Sequence, residues 1–272
     1  MNMINIENLT RDWGGGKGVF DLSFQVGKGE VFGFLGPNGA GKTTTIRHLM
    51  GFIKSKSGRC TIKGLDCWTA SDKIQKNLGY IPGEINFFDD MSGMEFLNFI
   101  AKYRGINTES RQQELLEYFE LNPKGKIKKM SKGMKQKIGI VAAFMHDPEI
   151  LILDEPTSGL DPLMQSRFVG LIAEEKRRGK TILMSSHMFE EVERTCDSVG
   201  IIREGKLVAV DTVNALRKRH IRSYTITLKN EETAKAFAED FNGTCDGRTV
   251  TVTAKQSLED IFMHYYGGKK ND

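Results

Sequence analysis

The sequence predicts an α/β fold, a mixed sheet with helices packed on it. Three observations carry this. Apolar runs of buried-strand length recur, among them Val31-Phe-Gly-Phe-Leu35 and Ile150-Leu-Ile-Leu153. Stretches with apolar residues three and four apart lie between such runs, as at Phe96, Phe99, Ile100 and Tyr103. A glycine-rich loop, residues 36–41, joins the first run directly to a helical pattern.

Taken in order, residues 1–35 read as β-rich. Asn2 to Leu9 alternates, Gly14-Gly15-Gly16 marks a turn, Val19 to Val26 is a strand, and Gly27 to Glu30 turns tightly into Val31–Leu35. Gly41 to Met50 is helical. Residues 58–67 and Leu78–Ile81 read as strands, the latter stopped by Pro82-Gly83. Met91 to Phe119 and Lys132 to Met145 read as helices, then Ile150–Leu153 as a strand, Pro162–Arg178 as a helix, Lys180–Met184 as a strand and Met188–Cys196 as a helix. Val199–Arg203 and Lys206–Val210 flank Glu204-Gly205 as a hairpin. Beyond residue 216 the composition shifts. Arg217 to His220 is a basic patch, Tyr224–Leu228 and Arg248–Ala254 alternate, Glu231–Phe241 is helical, and Leu258–Tyr266 closes as a short helix. The expected division is a domain over 1–216, with a helical insert at about 85–145, and an appendage over 217–272.

The chain has 272 residues, enough for one large domain or two smaller ones. Its 39% hydrophobic and 27% charged residues are a soluble balance. A net charge of +4 gives no support to a nucleic-acid binder. No apolar run reaches the ~18–20 residues of a membrane span, and the N-terminus lacks a signal-peptide pattern. A cytosolic protein, docking on a membrane partner at most, is expected. Cys60, Cys67, Cys196 and Cys245 form no C-x-x-C pair and are expected as packed free thiols.

Gly36-Pro37-Asn38-Gly39-Ala40-Gly41-Lys42-Thr43 matches G-x-x-x-x-G-K-[ST], with a strand before it and a helix after it. Glycines let backbone N–H groups curl around phosphate oxygens, and the helix N-terminus adds positive charge. Lys42 reaches the β- and γ-phosphates, Thr43 offers a hydroxyl to Mg²⁺, and Thr44 adds a donor to the α/β-phosphates. Asp154 ends the apolar strand 150–153 and is placed to hold Mg²⁺. Glu155 follows, in position to polarise a water attacking the γ-phosphate. Alone, Asp-Glu-Pro reads as a solvated turn; beside a complete phosphate loop it reads as the second half of a nucleotide site.

Further segments fall into line around this pair. Met130-Ser131-Lys132-Gly133-Met134-Lys135-Gln136 precedes it, Ser158-Gly159-Leu160-Asp161 follows it, and Ser186-His187 ends the next strand. The whole set, over residues 3–210, resembles the nucleotide-binding subunit of ATP-binding cassette (ABC) transporters. The resemblance implies a P-loop NTPase of ABC type that binds ATP and Mg²⁺. It implies that Ser131 and Gly133 match the signature L-S-G-G-Q, which binds the γ-phosphate held by an opposite subunit. It also implies that His187 contacts the γ-phosphate and that Asp161 lies in the segment linking two sites. Trp13 falls where the family stacks an aromatic on adenine; a packed surface Trp is the alternative. The implied partners are a second ATP-binding subunit, identical or different, and an integral membrane permease, with the chain peripheral at the cytoplasmic membrane face.

Two departures stand out. Lys132 and Met134 replace a Gly and the Gln of the signature, while Ser131 and Gly133 remain. In Tyr80-Ile-Pro-Gly83-Glu84, Gly83 stands where the family has a Gln; either Glu84 substitutes or the loop serves coupling alone. The tail Ser257-Leu-Glu-Asp-Ile-Phe262 resembles the end of ATPase subunits from exporters of drugs, antibiotics and bacteriocins.

His48, His146, His220 and His264 lack metal-ligand spacing and read as surface or packed histidines, and Trp68 as packing. The 217–220 patch reads as a solvated linker or an approach to acidic lipid. Phe87-Phe88 belongs either to a partner-facing groove or to the core. The expected activity is ATP hydrolysis powering export through the permease. A soluble ABC ATPase acting on ribosomes or DNA is the rival, without the tandem cassettes or long coiled coils that such members carry. A GTPase lacks support because no N-K-x-D occurs.

Overall fold

The computed structural model describes residues 2–88, 90–105, 109–219, 221–255 and Met263. Two compact units divide it, residues 1–210 and 211–272. In the first, β1 (Asn2–Gly14) and β2 (Lys17–Gly27) pair antiparallel. β3 (Val31–Leu35) leads through the glycine loop into α1 (Lys42–Leu49). β4 (Ser57–Ile62) pairs antiparallel with β1, and β5 (Leu65–Asp66) with β4, giving a sheet ordered β2-β1-β4-β5.

α2 (Ser71–Lys76) precedes β6 (Leu78–Ile81). The helical insert follows: α3 (Gly93–Arg104), α4 (Glu109–Tyr118), a 3-10 turn at Ile127–Lys129 and α5 (Lys132–Phe144). Next come β7 (Ile150–Asp154), α6 (Pro162–Arg177), β8 (Thr181–Ser186), α7 (Phe189–Thr195), β9 (Ser198–Arg203) and β10 (Lys206–Thr212). The large sheet runs β10-β9-β3-β8-β7-β6, with β9, β3, β8, β7 and β6 mutually parallel. Strands covered on both faces need apolar residues throughout, and β3 and β7 are buried at every position.

This topology assembles the site. Parallel strands end on one edge of the sheet, so the loops after β3, β6, β7 and β8 gather there. β3 lies centrally, between β9 and β8, and carries the glycine loop to the middle of that edge. The core beneath joins both sheets through Ile4, Phe24, Phe32, Phe34, Ile46 and Ile62. Phe24 stacks on Phe32 with ring centres 4.9 Å apart. Burying each such side chain contributes about 1.5–3 kcal/mol.

The second unit starts at Asp211, in the last residues of β10, and its first helix is α8 (Val213–Arg219). β11 (Ile221–Thr227), β12 (Thr244–Asp246) and β13 (Thr249–Lys255) form an antiparallel sheet ordered β11-β13-β12. α9 (Glu231–Asp240) packs Ala234 and Ala238 on Val250 to give it a small core.

Several elements depart from the expected pattern. The helical stretch at 91–119 is two helices. Gly105 adopts φ +66° and caps α3, a conformation that ends a helix at little cost for glycine. Ser92 opens α3 with a full capping box to Glu95. The strand at 58–67 breaks because Lys63 and Gly64 both take positive φ and turn the chain. α2, α8, β12 and the 127–129 turn are too short for periodicity to reveal. Trp68 is half exposed rather than packed, and Cys245 is exposed while Cys60, Cys67 and Cys196 are buried. Phe88 is exposed and meets Phe99 edge-on, whereas Phe87 packs edge-on against Phe96. His48 is buried. The side chains of residues 217–220, the Ser257–Phe262 motif, His264 and the helix expected at 258–266, apart from Met263, lie outside the described residues. No helix among the described residues is long and apolar enough to cross a membrane.

Candidate functional site

The loop 36–41 is shaped by its glycines. Gly39 and Gly41 take φ of +81° and +111°, which other residues rarely adopt. A Cβ at Gly36 would lie 2.6 Å from the Ile202 carbonyl oxygen, so this position admits no side chain without a shift. Gly36 N–H donates to the Ser186 carbonyl at 3.4 Å, tying the loop to the end of β8. Lys42 opens α1, is buried, and folds back over the loop. Its Nζ donates to the Gly36 carbonyl at 2.6 Å and the Pro37 carbonyl at 3.2 Å.

Register places the acidic groups opposite. Asp154 ends β7 and pairs with Ser185 on β8. Ser185 Oγ donates to Asp154 Oδ1 at 2.5 Å and accepts from Glu155 N–H at 3.0 Å. Glu155 takes φ +49°, the left-handed region, a strained conformation for a non-glycine residue and one found often at functional sites. Glu155 stands between two cations or donors: Oε1 is 3.1 Å from Lys42 Nζ, and Oε2 is 2.5 Å from His187 Nδ1. His187 follows Ser186 at the end of β8 and is half exposed. Glu155 and His187 line a cleft of about 460 Å³ together with Asn38, Thr43, Glu84 and Ser158. Tyr80 lines it too, and burial, aided by the nearby Asp154, pushes its phenol up to about 12.

The donor set fits a hard divalent cation. Asp154 Oδ2 is buried and takes no hydrogen bond, leaving one carboxylate oxygen open. Gly83 faces that oxygen; a Cβ there would lie 3.0 Å from it. Thr43 and Gly83 both line the cleft. Among the described residues no three His, Cys, Asp or Glu side chains form a metal cage.

Other expected site residues stand apart from this cleft. Ser131 caps α5 by accepting from Met134 N–H at 3.2 Å, and Asp161 caps α6 by accepting from Met164 N–H at 3.0 Å. These two caps are joined through the turn between β7 and α6. A Cβ at Gly133 would lie 2.8 Å from the Gly159 carbonyl, Lys132 Nζ donates to Ser158 Oγ at 3.0 Å, and Gln136 donates to the Pro156 carbonyl at 2.7 Å. Lys132 therefore packs the start of α5 on that turn, which a glycine there does not do. Trp13 lies near the end of β1, half exposed, with the Arg11 guanidinium 4.4 Å from its ring centre. Pro37, Ala40 and Thr44 complete the loop and first turn of α1, and the Thr44 carbonyl accepts from or faces His48 Nδ1 at 2.8 Å.

Two residues escape motif reading. Ser185 orients both acidic groups, and its signal is only the register of two parallel strands. Glu191 of α7 is 5% exposed and hydrogen-bonds Ser186 at 2.6 Å. Burial raises its carboxyl to about 7, against the opposing pull of the Ser186 and Thr157 hydroxyls; the Glu155 charge adds to the rise and His187 opposes it.

Comparison with known proteins identifies the family. The family model described as ABC transporter matches residues 19–158. The linearmycin resistance ATP-binding protein LnrL of Bacillus subtilis is 39% identical over 80% of this chain and 71% of its own. The bacitracin transport ATP-binding protein BcrA of Bacillus licheniformis is 40% identical over 87% of this chain and 78% of its own. A solved ATP-binding subunit of an ABC transporter superposes with a TM-score of 0.74 at 32% identity, covering 80% of this chain and 92% of that one. The dimeric cassette MJ0796 shares the fold, with a TM-score of 0.70 at 20% identity over 78% of this chain and 99% of that one. The family model and these relatives together show that the chain belongs to the ABC transporter family as an ATP-binding, ATP-hydrolysing subunit.

Proposed function

We propose that ATP binds in this cleft and is closed over by the Ser131–Gly133 segment of a second ATP-binding subunit, identical or different. Hydrolysis then drives a separate integral membrane permease. The observation that carries the reading is the meeting of Lys42, Glu155 and His187 at one strand edge, all within 3.1 Å contacts centred on Glu155.

The residues divide the work. Gly36 to Gly41, with Pro37, Asn38, Gly39 and Ala40 between, present backbone N–H groups to the phosphates, and Lys42 and Thr44 bind their oxygens. Thr43 and Asp154 would hold Mg²⁺, which when bound neutralises phosphate charge. Glu155 accepts a proton from the attacking water, and His187, hydrogen-bonded to Glu155, orients it and donates toward the γ-phosphate. Trp13 offers its indole to adenine. Asp161, at the cap of α6, links the turn after Glu155 to the partner subunit.

The residue assignments support a functional division into an ATP-binding domain at 1–216, with its helical insert at 85–145, and an appendage at 217–272. Exposed Phe88 and Phe99 offer the permease an apolar patch. The names of the linearmycin and bacitracin relatives support export of an antibiotic, drug or peptide, with this chain peripheral on the cytoplasmic face of the membrane and without nucleic-acid partners. The test is co-purification of the tagged chain from its native cell in mild detergent. A multi-span membrane protein at near-equal stoichiometry is expected. Recovery with ribosomes or DNA, and no membrane protein, would overturn the transport reading.

A further inference from the structure

Residues 124–137 carry seven lysines and no carboxylate, a local charge of +7 in a chain whose net charge is +4, so the remainder is net negative. The segment runs through the 3-10 turn into α5. Buried Ile127 and Met130 pin its backbone, and Lys124, Lys126, Lys128, Lys129 and Lys132 are exposed. Ion pairs with Glu95 and Asp90 answer Lys126 and Lys128. Among the described residues no carboxylate pairs with Lys129, Lys132 or Lys135, which flank Ser131. We propose that Lys129, Lys132 and Lys135 form a cationic docking face for the ATP-loaded cleft of a second copy of this chain, and that they speed its approach.

Helix stability does not account for these lysines. α5 starts at Lys132, and its first turn holds no acidic residue. Cations at the N-terminal end of a helix oppose its dipole, so Lys132 and Lys135 act against the element that carries them. Lys132 Nζ donates to the neutral Ser158 hydroxyl at 3.0 Å, which places the ammonium and leaves its charge uncompensated. The opposite charge lies in the cleft. Glu84 and Glu155 line it, against Arg47, and Asp154 faces Gly83 of that lining with one oxygen that takes no hydrogen bond. Bound ATP adds the charge of its phosphates. A closed two-fold pair needs one chain to supply both faces, and this chain has the acidic cleft and the lysine segment together. Attraction between them raises the rate of productive encounter, and salt screens it beyond about 8–10 Å.

The inference rests on closure by a second subunit as proposed above, so the experiment separates the two. The purified full chain bearing Glu155→Gln is mixed with saturating ATP and Mg²⁺, alone and with Lys129→Gln, Lys132→Gln and Lys135→Gln added. Thermal melts verify folding, and a fluorescent ATP analogue measures affinity, expected to differ by less than about twofold because the glycine loop is untouched. Stopped-flow light scattering follows association, and dilution follows dissociation. In the parent chain, association is expected to slow about tenfold between about 50 and about 300 mM NaCl. The lysine variant is expected to associate about tenfold more slowly at low salt and to respond little to salt, while dissociation changes by less than about threefold. No ATP-dependent dimer at any salt would overturn closure by a second copy, and the docking face with it. A dimer whose association ignores salt, or a lysine variant with the parent's rate and salt response, would overturn the docking face and leave closure standing. Sedimentation of the parent chain with phosphatidylglycerol vesicles, lost in a lysine variant whose association is unchanged, would overturn it too and assign the lysines to lipid.

Discussion

At the scale of single residues, the site is a balance around Glu155. It meets Lys42 on one oxygen and His187 on the other, from a left-handed backbone position held by Ser185. Replacing Glu155 by Gln keeps the shape and removes the proposed base. Hydrolysis is expected to fall by about 10²–10⁴-fold while nucleotide affinity is kept, which phosphate release and a fluorescent ATP analogue measure separately. Glu191 gives a pH prediction. Its folded carboxyl lies at about 7 against an ordinary 4.5. Below pH 4.5 it is neutral whether the chain is folded or not, and it costs nothing. Between 4.5 and about 7 the unfolded chain releases the proton that the folded chain keeps, so stability falls as pH rises; above 7 the cost stays near 3 kcal/mol. Glu191→Gln is therefore expected to melt above wild type at pH 8, with the gap closing toward pH 4.5. The loop 36–43, Asp154 and Glu155 are legible in the sequence because contiguous residues do one job. Ser185 and Glu191 are not, because their contacts form only when β8 lies beside β7 and α7 folds back over it.

At the scale of elements, helix ends carry much of the organisation. α3, α5 and α6 each begin on a capping side chain: Ser92, Ser131 and Asp161. Ser92 is remote from the chemistry, so Ser92→Ala isolates capping. It is expected to cost about 1 kcal/mol in urea unfolding and to leave ATP turnover unchanged. Strand and helix types are legible for the long elements. The break at Gly105 and the turn at Lys63-Gly64 are not, because hydrophobic spacing continues across them while the backbone reverses. Short pieces such as α2 and β12 follow from their neighbours rather than from their own pattern.

At the scale of the whole molecule, the signature segment and the cleft lie apart within one chain but are joined by the turn between β7 and α6, through Lys132–Ser158 and Gln136–Pro156. The proposed completion of the site by a second subunit can be tested directly. Glu155→Gln with ATP and Mg²⁺ is expected to sediment as a dimer and to melt higher than without nucleotide, by about 2.7 kcal/mol of added stability at a hundred times Kd. Ser131→Arg, which places bulk and charge at the proposed partner contact, is expected to remain monomeric in sedimentation. The thiols offer a practical consequence. Three are buried, with Cys60 and Cys196 pushed up to about 12 and Cys67 raised also by burial, while Cys245 lies exposed on the 211–272 unit. A maleimide dye will find that sulfur first. The natural chain thus carries its own address for a single fluorophore, and the appendage can be watched through a turnover cycle without engineering a cysteine.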